Sequence, residues 1–80
     1  MNLVCIMRKI KEKVTFRFCI HSKIISIART KIELDNHSIV IIKGYNDIAD
    51  RMYQRIQVGD KVIVKGMLDS NMEIIVQYFC

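Results

Sequence analysis

The sequence predicts a mostly β domain of five strands arranged as a barrel, with one short helix between the third and fourth strands. Residues 14–21 alternate apolar and polar side chains, which is the period-two pattern of a half-buried strand. One segment, after Gly44, has apolar residues at helical spacing instead. The chain of 80 residues contains no proline and no serine- or glycine-rich tract, so residues 1–80 are predicted to form a single domain.

The chain before the helix predicts three strands, namely residues 2–10, one long segment over residues 14–34 and residues 38–44. Residues 2–10 are an apolar run of strand length, and residues 14–21 form the alternating strand. Residues 22–34 stay strand-like, and the combined segment is longer than an ordinary strand. A bulge or bend is therefore expected near residues 22–23 or 28–29.

The predicted core takes the apolar side of the alternating strand, including Phe16 and Phe18. The chain has three cysteines at wide spacing, which fits a reducing compartment better than a disulfide framework. Cys5 and Cys19 are expected to pack in the core, because a free cysteine behaves as a small hydrophobe. Cys80 is expected to be exposed.

A turn at residues 35–36, Asp-Asn, is predicted to lead into a strand over residues 38–44 that is apolar on both faces. The helix is expected to begin at Asn46 or Asp47 and to run for about eleven residues, a typical length for a globular protein. Its apolar stripe, at a spacing of four residues, consists of Ile48, Met52 and Ile56.

Two further strands complete the predicted domain. Residues 61–68 alternate again, with Val62 and Val64 on the core side, and Gly66 permits a bulge or a close approach of another backbone. Residues 69–71 form a tight turn into the last strand, residues 72–79.

The positive charge is concentrated in the first half of the sequence. Residues 1–43 contain nine Lys or Arg and three Asp or Glu, whereas residues 44–80 contain four and five. The whole chain has a net charge of +5. Such an excess favours a polyanionic partner, although a solvated face that aids solubility is an equal alternative on charge alone.

Three strands, a helix and two further strands follow the order of the five-stranded Greek-key barrel called the OB-fold. The opening run MNLVCIMRKI resembles the first strand of bacterial single-stranded DNA-binding proteins. The run IVIIKGYNDIADRMYQRIQVGDKVIVKGML resembles their apolar strand, glycine, helix, turn and next strand. The resemblance covers nearly all of the chain. Its compact form is most similar to the primosomal replication protein B type or a small plastid-encoded relative.

The resemblance implies a protein that binds single-stranded DNA in replication, repair or recombination, with replication proteins as partners; RNA stays open, because OB barrels bind both. The family's stacking tryptophans and long last loop are missing here, so binding is expected to use backbone phosphates without sequence specificity. Recruitment through a tail is not expected. The residues predicted to contact nucleic acid are Arg8, Lys11, Lys13, Arg17, His21, Lys23, Arg29, Lys31, Lys43, Tyr45, Lys61 and Lys65.

An alternative function is an interaction or oligomerisation module of a replication (primosome-like) or translation assembly. Neither catalysis, a metal nor a cofactor is expected, because no catalytic constellation or ligand spacing is recognisable. A homo-oligomer, most simply a dimer, is expected because residues 39–42 are apolar on both faces. No apolar run reaches the roughly 18 residues of a membrane span, and no signal peptide is recognisable. The expected location is therefore intracellular, in a bacterial cytoplasm or plastid stroma.

Overall fold

The computed structural model describes residues 3–20 and 23–80, which form one sheet and one helix. The mostly β class and the single helix between two late strands are therefore confirmed. The elements are β1 Leu3–Lys9, β2 Thr15–Ile20, β3 Ile24–Glu33, β4 Ile39–Tyr45, α1 Asp47–Arg55, β5 Lys61–Leu68 and β6 Ile74–Phe79.

The sheet is an open, mixed sheet with the strand order β1-β5-β6-β4-β3-β2. Neighbouring strands are antiparallel, except that β4 and β6 run parallel. The prediction of a closed five-stranded barrel was therefore wrong in strand number and in closure. The physical reason is a reversal in the long strand-like segment: β2 and β3 form a hairpin in which Ile20 pairs with Ile24.

The long strand-like segment therefore reverses between Ile20 and Ile24. At one of the two predicted positions, residues 22–23, Lys23 lies between the paired residues Ile20 and Ile24, whereas Ser22 lies outside the described residues. At the other predicted position β3 continues without interruption, and Ala28 pairs with Phe16 on one side and Gly44 on the other. Gly66 was expected to permit a bulge or a close approach of another backbone, and the structure has a shift of the β5–β6 register between Lys65 and Gly66 and the Ile75 carbonyl group packed against Gly66.

The core lies between the inward face of the curled sheet and α1. An isolated bridge between Ile10 and Ile32 brings the chain after β1 against β3, which partly closes the open sheet. Burial of these apolar side chains is the main favourable contribution to folding. The buried hydrophobic residues are Ile10, Val14, Ala28, Ile32, Ile42, Ala49, Met52, Ile56, Val62, Val64, Ile74 and Val76.

Helix α1 lies on the inward face, where Met52 and Ile56 are buried and Ile48 packs against the core, as its apolar stripe predicted. The helix has nine residues rather than eleven. Asn46 occupies the N-cap position with φ 55°, but its side chain makes no capping hydrogen bond. Gly44 lets the helix approach, because an added Cβ would lie 2.7 Å from Ile48 Cγ2. No helix in residues 3–20 and 23–80 is long and apolar enough to cross a membrane.

Four residues are less buried than their apolar character predicted. Cys5 is exposed and Cys19 is only half-buried, while Phe18 is 61% and Ile20 73% exposed. The expectation that Cys5, Cys19 and Phe18 belong to the core was therefore wrong. Cys5 points outward from β1, and the β2–β3 hairpin extends beyond the core that Val14 and its neighbours fill.

Candidate nucleic-acid interface

The outward side chains of β2, β3 and β4 form a surface on the side of the sheet opposite to α1. They alternate with buried residues such as Ala28 and Ile42, so the pleat of the strands places them in solvent. We call this surface the outer basic face. It consists of Thr15, Arg17, Ile27, Arg29, Lys31, Ile41, Lys43 and Tyr45.

Strand register places the cations of the outer basic face in rows across the sheet. Arg29 is opposite Thr15 on one side and Lys43 on the other. Arg17 is in the next row, with Tyr45 two strands away. Because adjacent strands are about 4.8 Å apart, neighbouring cations in these rows can face the same polyanion.

A groove runs across the outer basic face. Its larger part has a volume of about 300 Å³ and is lined by Glu12, Lys13, Thr15, Arg29, Thr30, Lys31 and Ile41. Its smaller part has a volume of about 120 Å³ and is lined by Thr15, Phe16, Arg17, Ile27 and Arg29. The two parts share Thr15 and Arg29, so they adjoin each other and have cations along their walls.

Glu73 contacts two of the cations on this face. Its carboxylate lies 2.8 Å from Lys43 Nζ and 3.8 Å from Arg29 Nη2, and its side chain is only 16% exposed. The pKa of Lys43 is raised above 10.5, chiefly because the ammonium lies within hydrogen-bonding distance of Glu73. The preceding turn holds the backbone of Glu73, since Asp69 Oδ1 accepts hydrogen bonds from the backbone N–H groups of Asn71 and Glu73.

Other cations of the groove have fewer constraints. Lys31 Nζ lies 3.3 Å from Glu12 Oε1, where both side chains are about half exposed. Within the part of the chain that the structure describes, no carboxylate lies within 4 Å of the charged groups of Lys13, Arg17 or Lys23. These three side chains are exposed and available to a phosphate.

Several predicted contact residues lie elsewhere. Arg8 is in β1 and is paired with Asp35 at 3.2 Å, away from the outer basic face. Lys61 and Lys65 are on β5, on the other side of β6 and β4 in the strand order, where Lys65 Nζ lies 6.0 Å from the centre of the Tyr78 ring. The structure therefore does not bring Arg8, Lys61 and Lys65 together with the cations of the outer basic face, since sequence position gives no information on which strands become neighbours.

Two further predicted residues lie at the margins. The Lys11 backbone N–H donates to the Lys31 carbonyl at 2.9 Å, which places Lys11 at the end of the groove, where its ammonium lies 3.6 Å from Glu33. Lys23 is exposed at the end of the β2–β3 hairpin. His21 lies outside the described residues.

Flat surfaces for nucleobases are few on the outer basic face. Tyr45 is 37% exposed at its edge, and Ile27 and Ile41 offer half-buried apolar contacts between the cations. Sequence reasoning missed a second aromatic group, because it assigned Phe16 and Phe18 to the core. The sequence gave no signal for the exposure of Phe18, because nothing in it marks the nearby β2–β3 reversal.

Comparisons with known proteins bear on the fold. The sequence matches no protein-family profile and no curated protein sequence. The structure is similar to the crystal structure of the SSB domain of a protein from Synechococcus sp., with a TM-score of 0.88 and 18% identity over 99% of this chain and 93% of that chain.

A small single-stranded DNA-binding protein from Streptomyces coelicolor is also similar, with a TM-score of 0.73 and 15% identity over 100% of this chain and 93% of that chain. At these identities the similarity concerns the fold. The resemblance to single-stranded DNA-binding proteins that the sequence indicated is thereby confirmed for the OB-type architecture, with six strands in place of five.

Proposed function

We propose that this protein binds single-stranded DNA by contacting the phosphates of the DNA backbone, without sequence specificity and without a catalytic step. The observation that carries the proposal is the groove across the outer basic face, whose two adjoining parts are lined by the cations Lys13, Arg17, Arg29 and Lys31. The fold shared with an SSB domain and with a small single-stranded DNA-binding protein supports the same ligand class.

The resemblance to those proteins supports a role in replication, repair or recombination, alongside replication proteins, in a bacterial cytoplasm or plastid stroma. A role on RNA is the alternative ligand, because the phosphate contacts are common to both polymers. Binding of oligo-dT against oligo-U of equal length measures that preference.

Phosphate contacts dominate the expected affinity. The groove has at least two cations, Arg17 and Lys13, without a carboxylate partner within 4 Å among the described residues. Its nearby aromatic side chains are few: Phe16 in its lining and Tyr45 at the edge of the outer basic face. Each phosphate that a cation neutralises on a single strand changes the slope of log K against log salt concentration by about 0.7. Affinity is therefore expected to fall steeply as salt is added.

The direct test replaces Arg17, Lys23 and Arg29 together with glutamine. Loss of two or three phosphate contacts is expected to reduce the salt slope by about 1.4 to 2.1, the lower value applying if Glu73 already occupies Arg29. Three lost contacts would weaken binding by about 500-fold at 50 mM salt and by about 30-fold at 200 mM. Titration of labelled oligo-dT at both salt concentrations measures these effects.

The matched control replaces Lys9, Arg51 and Arg55, which removes the same charge from β1 and from α1. The control is expected to keep most of the salt slope, because none of these residues lies on the outer basic face. Equal losses in both variants would contradict the proposed site. Failure of the unsubstituted protein to bind oligo-dT at low salt would refute the function.

We further propose that the chain forms a homodimer through β1. This strand is at one end of the strand order, and Leu3 and Met7 are 64% and 50% exposed on its outward face. A strand with an unpaired edge and apolar side chains tends to pair with another chain. The same surface favours the alternative function, an oligomerisation module.

Sedimentation at micromolar concentration tests the dimer, which is expected to dissociate when Leu3 and Met7 are both replaced with lysine. A monomer before substitution would contradict this interface. A dimer that does not bind oligonucleotide at low salt would favour the oligomerisation module over nucleic-acid binding.

A further inference from the structure

Three aromatic rings form a cluster beside the edge strand β2. The Phe16 ring centre lies 5.2 Å from that of Phe18, with perpendicular planes, and 5.0 Å from that of Tyr53 on α1, with planes inclined by 34°. Phe16 is half-buried, whereas Phe18 and Tyr53 are 61% and 54% exposed. The cluster is therefore ordered by mutual contact while two of its rings remain in solvent.

The groove of the outer basic face reaches this cluster. Its smaller part is lined by Arg17 and Arg29 and also by Phe16, although Phe16 belongs to the opposite side of β2. In the described residues β2 has a strand neighbour on one side only, which is β3. A polymer that lies in the groove can therefore continue around the free edge of β2 to the aromatic rings.

We propose that Phe18 and Tyr53 form a base-stacking subsite for the strand whose phosphates occupy the outer basic face. This inference rests on the proposed function and adds to it the contact that phosphates cannot provide. Every nucleobase has a flat face, so such a subsite tolerates any sequence. Contact with Phe16 holds both rings before binding, which lowers the entropy lost when a base stacks.

The charge around the cluster favours a polyanion over a second copy of the chain. Arg17 and Lys23 on the β2–β3 hairpin are exposed and have no carboxylate within 4 Å among the described residues. Two copies that met through this surface would bring these like charges together, which is unfavourable. Phosphates that flank a stacked base would instead neutralise them.

The experiment compares Tyr53→Leu with Tyr78→Leu in the full chain. Both tyrosines are about half exposed, at 54% and 50%, but Tyr78 is on β6, which β4 and β3 separate from β2. Tyr53→Leu and, separately, Phe18→Leu are expected to weaken oligo-dT binding by at least about fivefold, the lower limit for one stacked base. Tyr78→Leu is expected to bind as the unsubstituted protein does.

Three readouts separate stacking from a structural effect. The salt slope is expected to stay unchanged in Phe18→Leu and Tyr53→Leu, because neither substitution removes a charge. An abasic oligonucleotide, which presents phosphates without bases, is expected to bind these variants and the unsubstituted protein equally. Binding of oligo-dT is also expected to quench tyrosine fluorescence less in Tyr53→Leu than in Tyr78→Leu.

Several results would overturn the subsite. Unchanged oligo-dT affinity in both Tyr53→Leu and Phe18→Leu would show that no base stacks there. An equal loss on the abasic strand would assign the rings to folding, and a smaller sedimenting species would assign them to an interface between copies. Each of these outcomes leaves the proposed function intact as long as the unsubstituted protein binds oligo-dT with a steep salt dependence.

Discussion

Replacing Glu73 with glutamine is expected to strengthen nucleic-acid binding and at the same time to weaken the fold. The Glu73 carboxylate lies 2.8 Å from Lys43 Nζ and 3.8 Å from Arg29 Nη2, so it occupies two cations of the outer basic face. A phosphate that binds these cations must displace the carboxylate. Glutamine keeps the shape of the side chain and removes its charge.

The expected change in binding free energy follows from the exposure of Glu73, Lys43 and Arg29. Exposed ion pairs contribute up to about 1 kcal/mol each. The Lys43 pair is at the upper end of this range, because its side chains are only 21% and 16% exposed, whereas Arg29 is 41% exposed and farther away. Losing both pairs removes about 1–2 kcal/mol that opposes phosphate binding, which corresponds to about fivefold to thirtyfold tighter binding.

The loss of the same pairs is expected to lower the melting temperature by about 4–8 °C for each kcal/mol. Asp35→Asn is the matched control. It also removes one negative charge and one ion pair, but its partner Arg8 lies away from the outer basic face. Oligo-dT titration and thermal unfolding are measured on both variants. Binding by Glu73→Gln that is no tighter than binding by Asp35→Asn would refute the competition between the Glu73 carboxylate and a phosphate.

Two predictions concern stability. An alanine Cβ at Gly66 would collide with the Ile75 carbonyl group, so Gly66→Ala is expected to cost at least about 3 kcal/mol, the upper range for overpacking. Gly59→Ala, with φ 91° but open space around it, is expected to cost about 1 kcal/mol in denaturant unfolding, and equal costs would contradict the crowding argument. The raised pKa of Lys43 means that its charge stabilises the fold fully below pH 10.5 and that this stabilisation is lost as the pH rises through the raised value. Across that alkaline range, the free energy of unfolding is expected to fall more in the unsubstituted protein than in Glu73→Gln. A larger fall in the variant would contradict the stabilising role of the Lys43 charge.

Strands could be predicted where one face of the strand is mostly apolar and the other is mostly polar. Alternation placed residues 61–68 in a strand that the structure reproduces with the same ends, and the spacing of Met52 and Ile56 identified the buried stripe of the helix. The β2–β3 reversal was harder to predict, because no glycine, proline or asparagine marks it and both sides carry apolar residues. A pattern of side chains shows what a strand buries but not where a continuous strand-like segment folds back.

The candidate site was predictable only in part for a related reason. Arg17, Arg29 and Lys31 meet because their strands are close in sequence and form a hairpin. Glu73 joins them through the parallel pairing of β4 and β6, in which Lys43 is opposite Ile75. That pairing links residues about thirty positions apart, and local pattern contains no information on such a partner. For the same reason the sequence could not show that Lys61, on β5, lies away from the outer basic face.

The outer basic face and the core depend on one choice of register. β3 contributes Ala28 and Ile32 to the core, and Arg29 and Lys31 alternate with them on the other side. A slip of one residue would exchange the two sets and bury the cations. The register is fixed from the inner side, where the buried Thr30 hydroxyl donates to the Glu12 carbonyl and Ile32 pairs with Ile10. The position of the cations is thus a consequence of what the core buries.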